Sequence, residues 1–287
     1  MEFTGNAESE NVEDRRGMKP AVVAGGGIAI LAVIIGLVFG VDKNQVAQIL
    51  GGIQGQGQVA DGGGKPADPN DFATFSRKLM KSTEDVWTDV FQKAGKSYEK
   101  PKMVIFKDGV KTGGCGDAPS AVGPFYCPAD HTLYLDPSFF TELEQKLGGS
   151  KADFSKAYVV AHEVGHHVQK LLGYSALVDA KRGTREENNM SVRLELQADY
   201  LAGVWAHHAV KSKLIKIDKG DVYEACKTAK NIGDDILKKR AGDKSWSNPQ
   251  SYTHGSAEQR ERHFNDGLRT GDISKLKQFF DPNNNDL

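Results

Sequence analysis

Between residues 157 and 169 the chain reads A-Y-V-V-A-H-E-V-G-H-H-V-Q, and the apolar spacing predicts a helix over 155–172. On that helix His162 and His166 stand four positions apart, so they project from one face, one turn above the other. Two imidazoles so placed can hold one zinc ion at about 2.0–2.1 Å each. Glu163 follows the first histidine, where its carboxylate can reach a water on that ion and act as general base. The apolar neighbours Val159, Val160, Val164, Val168 and Leu171 make this a buried helix, which suits a metal site and a plain core helix equally.

A third ligand decides between them. Downstream, on a helix predicted over 189–210, residues 193–199 read R-L-E-L-Q-A-D. Glu195 and Asp199 are again four apart and share a face. A carboxylate from Glu195 completes the His, His, Glu set of many catalytic zinc sites, which keep their fourth position for water. Asp199 can then accept the other ring N–H of a zinc-bound histidine and fix its tautomer. Leu194, Leu201, Ala202 and Trp205 predict burial for this helix, where an unpaired carboxylate is costly. The alternative H-E-x-x-H-x-x-G-x-x-H arrangement needs Gly and His where the chain has Gln169 and Leu172, and is excluded.

Other histidines are less telling. His254, within S-Y-T-H-G just before a predicted helix, is a candidate to hydrogen-bond the oxyanion of a tetrahedral intermediate, and Tyr252 is the alternative. His167 points away from the metal-binding face and reads as a packing residue. His131, His207, His208 and His263 have no comparable context.

The elements that must position these residues follow from periodicity and breakers. Phe72, Phe75, Leu79, Val86, Val90 and Phe91 predict a first helix capped by Asn70 or Asp71. Short strands are expected at 103–106, 124–126 and 132–135, the last two around a Pro128–Asp130 turn, with 132–135 either a hairpin strand or an edge for an extended peptide. Helices follow near 139–147, 155–172, 189–210, 221–239, 257–269 and 273–279, the fifth opening on a capping box, Ser256 to Gln259. The fold class is α+β, a mostly helical domain with a small sheet.

Residues 21–41 contain no charge and run Ala, Val, Gly, Ile, Leu and Phe, long enough for one transmembrane helix. Arg15, Arg16 and Lys19 before it, against Lys43 after it, predict a cytoplasmic N-terminus and an outer domain. The organisation expected is a cytoplasmic tail over 1–20, a membrane helix over 21–41, a Gly-rich flexible linker over 42–70 and the zinc domain over 71–287. Cys115 and Cys127, 12 apart in a Gly- and Pro-rich stretch, can pair in an oxidising compartment, whereas Cys226 reads as a small buried residue. The formal net charge of −1 gives no basic face for nucleic acid, and nothing in the sequence names an oligomeric state.

H-E-V-G-H-H-V-Q with E-L-Q-A-D, N-V-E-D-R-R before the apolar run, G-P-F-Y-C-P-A-D, and the late T-H-G-S with E-Q-R together resemble the bacterial neutral zinc metallopeptidases over nearly the whole chain. The resemblance implies a zincin-like domain at the inner membrane, facing the periplasm or the exterior, and a zinc metalloendopeptidase acting on peptides or proteins. It implies a gluzincin-like ligand set carried over to His162, His166 and Glu195, with Glu163 as base. The reading from another class is a membrane-tethered binding or assembly module whose zinc site is structural or catalytically silent.

Overall fold

Asp71 accepts the Ala73 N–H and starts α1 (Phe72–Lys93), the helix that the phenylalanine and leucine spacing predicts. The computed structural model describes residues 1–18, 71–281 and 284. The expected membrane helix over 21–41 and the linker over 42–70 lie outside them. Among the described residues no helix is long and apolar enough to cross a membrane.

The residues before the apolar run are not a separate tail. They form β1 (Glu2–Phe3) and β2 (Val12–Asp14) and join the domain. A four-stranded sheet runs in the order β2, β3 (Lys102–Ile105), β7 (Thr132–Leu135), β6 (Phe125–Cys127). β2 pairs parallel with β3 from Val12 opposite Met103 to Asp14 opposite Ile105. β1 pairs with β8 (Ile215–Lys216). Parallel pairing between such distant segments leaves no local turn signal, which is why V-E-D reads as tail from sequence.

β7 is therefore a central strand and not an edge: it pairs parallel with β3 and antiparallel with β6. Alternation explains why its residues are all buried. Leu133 and Leu135, like Met103 and Ile105, enter the main core, while Tyr134, Val104 and Phe125 pack on the sheet's other face. A hairpin of β4 (Gly109–Lys111) and β5 (Asp117–Pro119) covers that second face, and the Cys115–Cys127 disulfide ties it to β6.

The helices complete the domain: α2 (Ser138–Gln145), α3 (Asp153–Leu172), α4 (Tyr174–Asp179), α5 (Glu187–Lys211), α6 (Lys219–Asn231), α7 (Asp234–Arg240) and α8 (Ala257–Thr270). The helix expected over 221–239 is two, broken at Gly233, because a Cβ there would stand 2.3 Å from the backbone nitrogen of Ala257. Residues 273–280 form a 3-10 helix.

α3, α5 and α8 form the core that carries the site. Phe154, Tyr158, Val164, Leu201, Trp205 and Phe264 are all buried in it. Glycines set the helix spacing. A Cβ on Gly165 would come within 3.1 Å of the Ala198 carbonyl, and one on Gly203 within 2.1 Å of the Phe264 carbonyl. α5 is thus pressed against α3 on one side and α8 on the other.

Candidate metal centre

Gly165 lies between the two histidines, so α3 and α5 come close together where the candidate ligands meet. His162, His166 and Glu195 each offer an atom within 4.8 Å of the others. Glu195 Oε2 is 3.1 Å from His162 Nε2, and its Oε1 is 3.5 Å from His166 Nε2. The three sequence-predicted ligands therefore converge from two helices.

The far side of each imidazole is fixed. His162 Nδ1–H donates to Asp199 Oδ1 at 2.8 Å. His166 Nδ1–H donates to Gln169 Oε1 at 2.8 Å, and Gln169 is oriented by its amide donating to the Leu194 carbonyl at 2.6 Å. A carboxylate only accepts, and the Gln169 amide nitrogen is already committed, so both imidazoles carry a proton on Nδ1, which leaves each Nε2 turned to the Glu195 carboxylate as the atom a metal would take once it gives up its proton. Two neutral nitrogens and a carboxylate are the donor chemistry that zinc takes.

Electrostatics agree. Burial alone would lower the His162 imidazole, but Asp199 and Glu195 outweigh it and push it up to about 10. Burial would raise Glu195, but His166 and His162 hold it well below the ordinary carboxylate range. A field that favours positive charge between these groups favours a dication there. Burial pushes Glu163 up, against the pull of His166 and His162, and among the described residues no hydrogen bond engages its carboxylate.

Sequence reasoning missed the anchoring beneath Asp199. Asp199 is fully buried on α5, and the Tyr158 hydroxyl donates to its Oδ1 at 2.6 Å. Arg260, on α8 and 4% exposed, grips both its oxygens, Nε to Oδ2 at 2.8 Å and Nη2 to Oδ1 at 3.0 Å. A signal existed: Arg260 shares a helical stripe with the buried Ala257, Phe264 and Gly267.

His254 sits in the loop ahead of α8. Asp234 Oδ2 accepts the backbone N–H groups of Thr253 and His254 at 2.7 Å each and of Gly255 at 3.1 Å. Gly255 has φ 96°, and a Cβ there would meet Leu196 at 2.9 Å, so the loop lies close against α5 beside Glu195. Burial would lower the His254 imidazole, but Asp234 and Glu195 outweigh it and hold it above its ordinary value. Tyr252, the alternative, donates its hydroxyl to the Trp246 carbonyl at 2.5 Å and is 6% exposed. Its hydroxyl is committed elsewhere.

His167 faces away from the centre. It accepts the Tyr126 hydroxyl at 2.9 Å and donates to the Glu99 carbonyl at 2.6 Å.

With this geometry in place, the family model described as "Putative neutral zinc metallopeptidase" matches residues 1–279. The chain belongs to that family. It is similar to the uncharacterized protein YpfJ of Escherichia coli K12, at 39% identity over 97% of this chain and 99% of that protein. It is also similar to the uncharacterized protein Rv2575 of Mycobacterium tuberculosis H37Rv, at 42% identity over 67% of this chain and 65% of that protein. No solved structure matches the chain.

Proposed function

We propose that this chain is a zinc-dependent endopeptidase with His162, His166 and Glu195 as zinc ligands and Glu163 as general base. One observation carries the proposal. Two helices converge three ligand atoms within 4.8 Å, and the partly buried carboxylate next to the first ligand has no hydrogen-bond partner among the described residues.

Zinc bound there would lower the pKa of a water toward about 7 and polarise a peptide carbonyl. Glu163 takes the attacking water's proton and later delivers it to the leaving amine. Its raised carboxyl suits both halves of that task. His254, held by Asp234, donates a hydrogen bond to the oxygen that becomes negative as the carbonyl turns tetrahedral. Asp199 and Gln169 keep the imidazoles in the ligating tautomer.

We also propose that the apolar run 21–41 holds the chain at a bacterial membrane. The Cys115–Cys127 pair favours an oxidising compartment for the domain, periplasmic or extracellular. Peptides or proteins in that compartment are the substrate class.

Zinc content and turnover test the assignment together. Glu163→Gln should bind zinc stoichiometrically and fail to cleave peptides, whereas Glu195→Ala should lose zinc. Retained cleavage by Glu163→Gln would overturn the role of Glu163.

A further inference from the structure

The apolar run at 21–41 suggests one membrane crossing, with residues 1–20 on one side and the metal-binding domain on the other. The packing of residues 1–18 points elsewhere, for reasons independent of any hydrolytic activity.

The stretch 9–16 occupies a slot built into the domain. Ser9 donates its backbone N–H to the Arg77 carbonyl at 3.0 Å. Asn11 accepts the Met103 N–H at 2.8 Å, and Arg15 donates to the Ile105 carbonyl at 2.8 Å, so both ends of β2 are locked to β3. Below the strand, Glu84 in the middle of α1 is 2% exposed. Its Oε1 accepts the Ser9 hydroxyl and, at 2.8 Å, the Asn11 amide, while Lys100 reaches its other oxygen at 3.3 Å. Without residues 9–11 this buried carboxylate would lose both of those donors, and β3 would present an unpaired edge. Burying a charge is tolerable only when it is partnered, and here two of the three partners come from the chain's first dozen residues.

The two ends of the intervening segment also meet. Arg16 Nη2 lies 3.1 and 3.2 Å from the two oxygens of Asp71, although the residues are 55 positions apart. The chain therefore leaves the domain and rejoins it at one corner. A single crossing puts its two ends on opposite faces. Crossing back would need a second apolar run of about 20 residues, and 42–70 reads D-K-N-Q-V-A-Q-I-L followed by Gly, Gln, Asp and Pro. The basic residues that signal a cytoplasmic N-terminus have partners in the fold: Arg15 pairs with Glu13 at 2.7 Å, and Arg16 with Asp14 at 2.6 Å and with Asp71.

We infer that residues 1–18 and the metal-binding domain lie on the same face of the membrane, and that the corner joining Arg16 to Asp71 is the part of the domain turned to the lipid surface.

The test uses the full chain in a bacterial host, with Cys226→Ala to remove the free thiol. Single cysteines are placed at the exposed positions Glu8→Cys and Lys151→Cys, each kept only if the membrane fraction holds as much zinc as the parent. Spheroplasts are treated with a membrane-impermeant maleimide before and after permeabilisation. The two positions should behave alike, both labelled before permeabilisation or both only after it. Labelling of Lys151→Cys before and of Glu8→Cys only after, or the reverse, would overturn the inference.

Discussion

Arg260 offers the sharpest test of how the site is held. Asp199 is fully buried and accepts from the Tyr158 hydroxyl, from His162 Nδ1 and twice from Arg260. In Arg260→Met the carboxylate keeps Tyr158 and His162 but loses its only bidentate cation among the described residues. Breaking one partner of a buried ion pair costs about 3–5 kcal/mol. In a domain of this size each kcal/mol moves Tm by about 2–4 °C, so the expected fall is about 6–20 °C. The imidazole of His162 is no longer held at a fixed angle, and loss of such an outer partner weakens metal affinity by about 10–100-fold. Calorimetry reads the first quantity and chelator competition the second. Arg260→Lys restores charge without the two-pronged grip and should fall between the two. An Arg260→Met protein with Tm and zinc affinity both unchanged would refute this account of Asp199.

Other expectations are narrower. Gly165→Ala places a methyl 3.1 Å from the Ala198 carbonyl; it should cost about 1–3 kcal/mol and weaken zinc binding, read by thermal unfolding and zinc titration. His254→Ala should lower kcat by about 10²–10³-fold with zinc content and KM little changed, measured on any cleaved peptide. Burial would raise the Asp234 carboxyl, but His254 and the backbone N–H donors hold it below its ordinary value. Its contribution to stability is therefore complete above the ordinary carboxylate range and is lost as pH falls below about 4. Asp234→Asn should flatten that part of the acid unfolding curve and lower kcat without releasing zinc.

The cluster of His162, His166 and Glu195 was legible because its candidate ligands follow local spacing. His162, His166, Glu195 and Asp199 each sit at i, i+4 on a helix whose apolar stripe is plain in the sequence. What was not legible comes from pairing across the chain. Arg260 reaches Asp199 over 61 positions and Asp234 holds a loop 19–21 positions away, so no window of sequence contains both partners. The helices after Ser138 were readable by periodicity, except for the short helix Tyr174–Asp179, which was not expected, and the break where Gly233 yields to the approach of Ala257. The domain boundary at 71 was misleading for a different reason. Strand β2 is three residues long and finds its partner about 90 positions on, by a parallel pairing that no turn announces. A protein cut at Asp71 would lack that strand and two of the donors to Glu84, so activity should be measured on the full chain.

The central claim is that this constellation cuts peptide bonds with zinc. The direct measurement is proteolysis of a mixed peptide library by the full chain in detergent, with and without a zinc chelator, alongside Glu163→Gln. The account predicts cleavage that vanishes with the chelator, returns with added zinc, and is absent from a Glu163→Gln protein carrying a full complement of zinc. A folded, zinc-loaded parent that cleaves nothing in the library, or cleavage that persists in Glu163→Gln, would contradict it.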